Sequence, residues 1–403
     1  MPHSHTPWRK PALLTVLLVL IAGVLSSAPS AQAGSRAPHH QRQHVTLRVL
    51  PPLSQPGPTP RSSKAARSVL EVSVSPVRHG HLVTLQRHTR HGWREVGQGR
   101  QNAHGVVQFV VPPPRPGRHP AYRAMAAAHG PLSAAHSRAK VDPWTDVLFD
   151  EEFAGTQLDD DWTHRIQFYN PWGGRRCSKG SPAAVAVGGG ALELSSMPDP
   201  SMPATCPVPD PDSHKVGHYP YRLNGHISTQ HSFDFRYGVA AARMRFQRDP
   251  GAHAAFWMQP RGLLDTKPTP WGAEVDVVEF YGNVGSRARM VSAVHEPTPS
   301  GRKIQIGGAV PSPNRFLASR SDTWWRNYHV FSVQWTAREY IFRISGHEVW
   351  RTDRGVSHDP EFLILSMLSS DFELPSLAAG QDQVQSASVD WVKVWQRGPV
   401  GSR

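Results

Sequence analysis

The chain has 403 residues, 44 Lys+Arg against 31 Asp+Glu, a formal net charge of +13, and only two cysteines. Two thiols are too few for a metal cluster. No recognisable nucleic-acid motif accompanies the positive charge, so nucleic acid is excluded as the expected partner.

Arg9 and Lys10 precede an apolar run from Ala12 to Leu25, followed by the small-x-small site Ala31-Gln32-Ala33. Residues 1–33 therefore read as a signal peptide, with an uncleaved anchor as the alternative. The run falls short of the roughly 18–20 apolar residues that cross a bilayer, and none of that length follows. The mature protein is expected to be exported, without a membrane span, and monomeric.

Residues 34–44 read as a linker. From 45 to 141, apolar and polar residues alternate over 45–50, 69–75, 81–86, 93–97, 106–111 and 122–127, broken by Gly, Pro and Asn turns. That pattern predicts a small antiparallel β-sandwich. Gly80-His-Leu-Val-Thr-Leu-Gln-Arg87, with Gly92-Trp93 and Tyr122-Arg-Ala124, resembles immunoglobulin-like accessory domains of secreted bacterial proteins. Residues 34–146 hold 16 Lys+Arg against 4 Asp+Glu, and residues 147–403 hold 26 against 27. The basic balance thus belongs to the front module, which suits contact with an anionic cell-wall or acidic polymer. A solubilising spacer is the plain alternative.

After a second linker, 142–147, short β-branched and aromatic segments recur to residue 397, and no helical period lasts ten residues. The expectation is one large all-β sandwich over 148–397, with 398–403 as a tail. Cys177 and Cys206 flank a loop rich in Pro and Gly, which in an exported chain is most simply closed as a disulfide.

The chemistry concentrates in Glu274-Val-Asp-Val-Val-Glu279. The β-branched residues predict a strand, and alternation puts Glu274 and Asp276 on one face while turning Glu279 to the other. One β-bulge at Val277–Val278 restores the phase and brings all three acids onto one wall. Paired carboxyls at such spacing suit retaining glycoside cleavage, which needs a nucleophile and an acid/base roughly 5–5.5 Å apart.

The surrounding segments resemble family 16 of the glycoside hydrolases. Phe149-Asp-Glu-Glu-Phe-Ala-Gly155 looks like the family's opening strand, and Ala254-Ala-Phe-Trp-Met-Gln-Pro260 its cleft strand. Tyr328-His-Val-Phe-Ser-Val-Gln-Trp335 and Val389-Asp-Trp-Val-Lys-Val-Trp395 match the closing strands. The resemblance implies a β-jelly roll (a concanavalin A-like sandwich), with Val275 and Val277 facing the layer between the sheets. It also implies Glu274 as nucleophile, Glu279 as acid/base and Asp276 as the partner that tunes both. The motif length is that of the laminarinase, agarase and carrageenase branch.

A polysaccharide substrate calls for aromatic platforms and polar fringes. Trp257 matches a cleft-lining tryptophan of the family. Trp172 and Asn170 sit in a turn-rich loop whose family counterpart touches sugar, and Trp271, Tyr169 and Tyr281 are further aromatic candidates. His295 falls on the strand where the family often places a cleft histidine, within reach of Asp276 or a sugar hydroxyl. No cofactor is required for catalysis. A structural calcium is implied by Glu152 and Asp390, which match the family's side-chain ligands.

The sequence departs from the family at Met367-Leu-Ser-Ser-Asp-Phe-Glu-Leu-Pro375, where its β-1,3-glucanases usually turn on Gly-Gly. It departs again in the insert between Ser195 and Pro220. The expected activity is hydrolysis of internal β-bonds, a β-1,3- or β-1,3-1,4-glucan being the first substrate to consider. Transglycosylation of wall polysaccharide shares the same intermediate, and a non-catalytic sugar-binding protein of this fold would have lost a carboxylate. An anionic-galactan hydrolase would call for an Arg-lined cleft.

Overall fold

The computed structural model describes residues 41–113, 120–144, 146–170, 173–209, 215–264, 272–298, 302–377 and 383–398. The proposed signal peptide, Trp172 and Trp271 lie outside these residues. No helix among those described is long and apolar enough to cross a membrane.

In the front module, strands His44–Ser54, Arg67–Ser75 and Val106–Val111 form one antiparallel sheet. Gly92–Arg100, Leu82–Thr89, Tyr122–Ala126 and Ala135–His136 form a second. Alternation decides the packing, because every second residue of a strand faces the same way. Val45, Leu47, Leu70, Val72, Val83, Leu85, Phe109 and Ala124 interlock between the two sheets.

The larger module is a two-layer β-jelly roll. One layer runs Lys303–Ala309, Arg287–Pro297, Glu274–Val284, His253–Pro260, Glu361–Leu368 and Arg222–Ser228 in spatial order. The other continues through Ala191–Pro198, Gln385–Gln396, Gly238–Arg245, His329–Trp335, Tyr340–Ile344 and His347–Thr352. Phe256, Met258, Val275, Phe280, Leu363 and Leu365 of the first layer meet Ala240, Ala242, Phe331, Val333, Val392 and Val394 of the second. Phe280 stacks on Phe246 with ring centres 4.7 Å apart, an offset arrangement aromatic pairs favour.

The two modules share a third apolar core. Leu50, Leu53, Ala66, Val69 and Trp144 pack against Val239, Ala241, Val330, Trp391 and Trp395. The first strand, expected to stop near residue 50, therefore continues to Ser54, because Leu50 and Leu53 find a second buried surface. Within the stretch 142–147, read from sequence as a linker, Trp144 donates its indole N–H to the Val49 carbonyl at 2.9 Å. Asp146 already pairs with Gln396.

Cys177 and Cys206 are disulfide-bonded, and the bond sits in an apolar cluster with Val208 and Leu374. The insert after Ser195 forms the hairpin Thr205–Pro209 with Val216–Pro220. With 29 residues separating the cysteines, the closed loop stabilises the fold by about 3–4 kcal/mol on the chain-entropy account.

Candidate active site

Strand Glu274–Val284 lies between His253–Pro260 and Arg287–Pro297. On one side Phe256 pairs with Val278 and Trp257 with Asp276, so Val277 is the extra residue. On the other side Asp276 faces Ala293 and Glu279 faces Val291, leaving two valines across from Ser292. This is a β-bulge at Val277–Val278. Ser292 Oγ donates to the carbonyls of Asp276 at 3.3 Å and Val277 at 3.1 Å, which ties off the irregular backbone. Val275, Val277, Val278 and Phe280 all enter the core. Glu274 and Glu279 remain half-buried at the opposite face, and Asp276 between them is 5 % exposed.

Register then sets a grid, since residues directly opposite on neighbouring strands share a face. Glu274 lies in a row with His295 and Gln305, Asp276 with Trp257 and Ile364, and Glu279 with Ala255, Ser366 and His226. The three acids thus head three successive rows.

Each acid has its own electrostatic setting. Burial alone would push the Glu274 carboxyl up, but the Lys303 ammonium at 3.0 Å and the Gln259 amide at 2.9 Å hold it below the usual range. Glu274 is therefore ionised. Gln259 is itself aimed by Arg165, whose Nη2 donates to its carbonyl at 3.0 Å. Asp276 goes the other way: burial raises it to about 7, against the hydrogen bond from His295 and with the repulsion of Glu279 and Glu274. His295 Nε2 sits 3.0 Å from Asp276 Oδ2, and that bond raises the imidazole in turn. The pair holds a proton between them. Because the folded value of Asp276 lies above the unfolded one, its contribution to stability is full below about pH 4. That contribution is lost as pH rises through about 7. Glu279 accepts from the Tyr281 hydroxyl at 3.0 Å, and His253 Nε2 stands 4.0 Å away.

Trp257 is half-buried in this face, donating its indole N–H to Ser366 Oγ at 3.1 Å and stacking on His226 with ring centres 5.9 Å apart. Tyr281 contacts the acid/base candidate directly instead of standing apart as a platform. Tyr169 donates its hydroxyl to Asp199 Oδ2 at 2.6 Å and its ring meets Tyr221 edge-on, which holds it beside the disulfide hairpin. Asn170 is exposed on the loop before the disulfide, where its backbone N–H donates to the Arg175 carbonyl at 3.3 Å. Gln259, Lys303, Arg165, His253 and Phe372 complete the site without having been singled out in the sequence. Phe372 is 52 % exposed and faces Tyr281 at 6.4 Å, an apolar rim.

Glu152 and Asp390 do not make a cation site. Asp390 is bridged to the buried Arg243 guanidinium and accepts from the Arg61 backbone at 2.9 Å. Glu152 accepts from the Ser63 backbone at 2.9 Å and from its hydroxyl. Beside them the Lys393 ammonium lies 2.8 Å from Asp150 and 2.9 Å from Ser63 Oγ. The Arg243 guanidinium already satisfies Asp390 and Ser63 of the front module satisfies Glu152, so these residues do not fit calcium. Glu274, Asp276 and His295 each offer a ligand atom within 4.8 Å of one another. There Lys303, Gln259 and the shared proton already supply the compensation a cation would bring.

The pattern described as Glycosyl hydrolases family 16 matches residues 202–393, a little under half of the chain. Endo-1,3-1,4-beta-glycanase EglC of Rhizobium meliloti (strain 1021) is 26% identical over 176 residues, 43% of this chain. The match spans only 33% of that curated relative's length. Among solved structures, the catalytic domain of an endo-1,3-beta-glucanase (laminarinase) from Thermotoga petrophila RKU-1 is 18% identical. It covers 64% of this chain and 99% of its own, with a TM-score of 0.48. The endo-beta-1,3-glucanase from Pyrococcus furiosus is 18% identical, covers 62% and 95%, and has a TM-score of 0.47.

Proposed function

We propose that this protein is an exported, retaining endo-β-glycosidase that hydrolyses internal bonds of a polysaccharide, a β-1,3- or β-1,3-1,4-glucan first. The observation that carries this reading is the bulged strand, which sets Glu274, Asp276 and Glu279 on one face in three unlike environments. Ionised Glu274 attacks the anomeric carbon while Glu279 gives its proton to the leaving oxygen. Water, deprotonated by Glu279, then releases the sugar from Glu274. Asp276, sharing its proton with His295, keeps the space between the two free of a third full negative charge. The name of the curated relative, an endo-1,3-1,4-beta-glycanase, favours glucans. The test is product analysis on laminarin and lichenan, following the first-formed anomer by proton NMR. Shortened chains born as the β-anomer are expected. An α-anomer as first product, or no cleavage of any β-glucan, would overturn the proposal.

The front module supports a second role, retention on an anionic wall polymer. Arg87 and Arg94 are exposed and directly opposite across a strand pair, an arrangement that costs stability when nothing negative lies over it. The whole chain should be retained on purified cell walls at low salt and released severalfold at high salt. Exchanging Arg87 and Arg94 for glutamine should weaken that retention. Retention that ignores both salt and the exchange would end the idea.

A further inference from the structure

The turn Asp371–Ser376 lies where the sequence departs from the family it resembles, and it is tied to the site by two buried groups. Glu373 and His253 are 5 % and 4 % exposed, and His253 Nδ1 is 2.7 Å from Glu373 Oε2. The same carboxyl oxygen accepts from the Ser370 backbone at 2.8 Å, closing the turn's own cap. The far side of the imidazole is directed at the acids: Nε2 stands 4.0 Å from Glu279 Oε1. The ring lies on Tyr281 with centres 4.9 Å apart. Behind the turn, Asp371 accepts from Arg176 Nε at 2.9 Å, and Leu374 packs on the disulfide.

We propose that His253 and Glu373 are positioning residues for Glu279. Through them the turn Asp371–Ser376, which holds no reacting group, sets the alkaline limit of catalysis. The inference rests on Glu279 being the acid/base. Burial by itself would drive His253 neutral, but Glu373 and then Glu279 outweigh it and hold the imidazole charged. Arg175 opposes this more weakly, and His226 nearby is buried neutral. Tyr281, the remaining titratable neighbour, is pushed up by burial and the adjacent acids, so it stays a hydroxyl donor. At 4.0 Å the imidazolium is too far to hydrogen-bond Glu279, so it acts as a fixed charge. A buried cation at that range favours the state in which the proton has left for the glycosidic oxygen.

The test is kcat/KM against pH for the full chain on a soluble β-glucan. His253→Gln is expected to move the alkaline limb up by about one pH unit. Glu373→Gln, which keeps size and shape and carries the test should the first variant not fold, is expected to move it the same way by less. A purely structural clamp lowers the melting temperature and leaves the limb in place, and that result overturns the proposal, as does a downward shift. Glu279→Gln keeps the two readings apart. If it loses polysaccharide turnover but still cleaves an activated aryl glycoside, Glu279 stands as acid/base, and an unmoved limb then removes the positioning role alone.

Discussion

Glu274→Gln is expected to lower polysaccharide turnover by about a thousandfold or more, the scale seen when a nucleophile is removed. The change is nearly isosteric, and its structural cost should be small. The new amide still accepts from Gln259, now at 2.9 Å from the native carboxylate. Lys303 loses an ion partner at 3.0 Å, but its side chain is 53% exposed, and an ion pair so open to water contributes little. Asp276 loses one of the charges that raise it, so its titration should move down from about 7. The melting temperature at pH 6 should therefore stay within a few degrees of wild type while reducing-sugar release collapses. Turnover near the wild-type rate would remove Glu274 from the mechanism and the reaction scheme with it. Glu279→Gln should cost about a hundred- to ten-thousandfold on polysaccharide, the usual contribution of a general acid, and much less where the leaving group departs unaided.

The sequence makes the catalytic strand legible because an acid trio in a β-branched run leaves few physical options. Without an extra residue at Val277–Val278, Glu279 would be driven among Phe256, Met258 and Leu365, where an unpaired carboxylate is intolerable. The disulfide is legible because only one pairing exists. His295 is legible only by resemblance, since a lone histidine says nothing until register sets it opposite Glu274. The groups that tune the acids are harder to see. Lys303, Gln259, Arg165 and His253 come from three separate segments, and the spatial order that gathers them places strand Glu361–Leu368 beside His253–Pro260. Nothing local in the chain encodes that adjacency. The calcium expectation fails for a related reason. Glu152 and Asp390 are legible as ligands, but Asp390 is claimed by Arg243 on the neighbouring strand and Glu152 by Ser63 of the front module.

That substitution of a fixed cation for a metal carries the second large effect. Arg243 is fully buried, and it donates to the Gln55 carbonyl at 2.7 Å, to Thr59 at 3.1 Å and to Gly57 at 3.2 Å. Asp390 is its counter-charge. The guanidinium therefore holds the strap 55–63 of the front module against the jelly roll, and its own charge is tolerable only while Asp390 is ionised. Asp390→Ala is expected to cost about 3–5 kcal/mol, the penalty for leaving one partner of a buried ion pair uncompensated. In a domain of this size that corresponds to roughly 5–10 °C in the melting temperature. Cleavage by a nonspecific protease should appear within the strap before the jelly roll opens. Arg243→Met together with Asp390→Leu should cost less than Asp390→Ala alone, because no charge is then stranded, although the strap carbonyls lose their donor. Chelation should leave both melting and turnover of the wild type unchanged, since the Arg243 guanidinium already fills the cation's place beside Asp390. A drop of several degrees on adding a chelator, reversed by calcium, would show that a metal shares the load after all, and a silent Asp390→Ala would show that the strap is held by its apolar contacts alone.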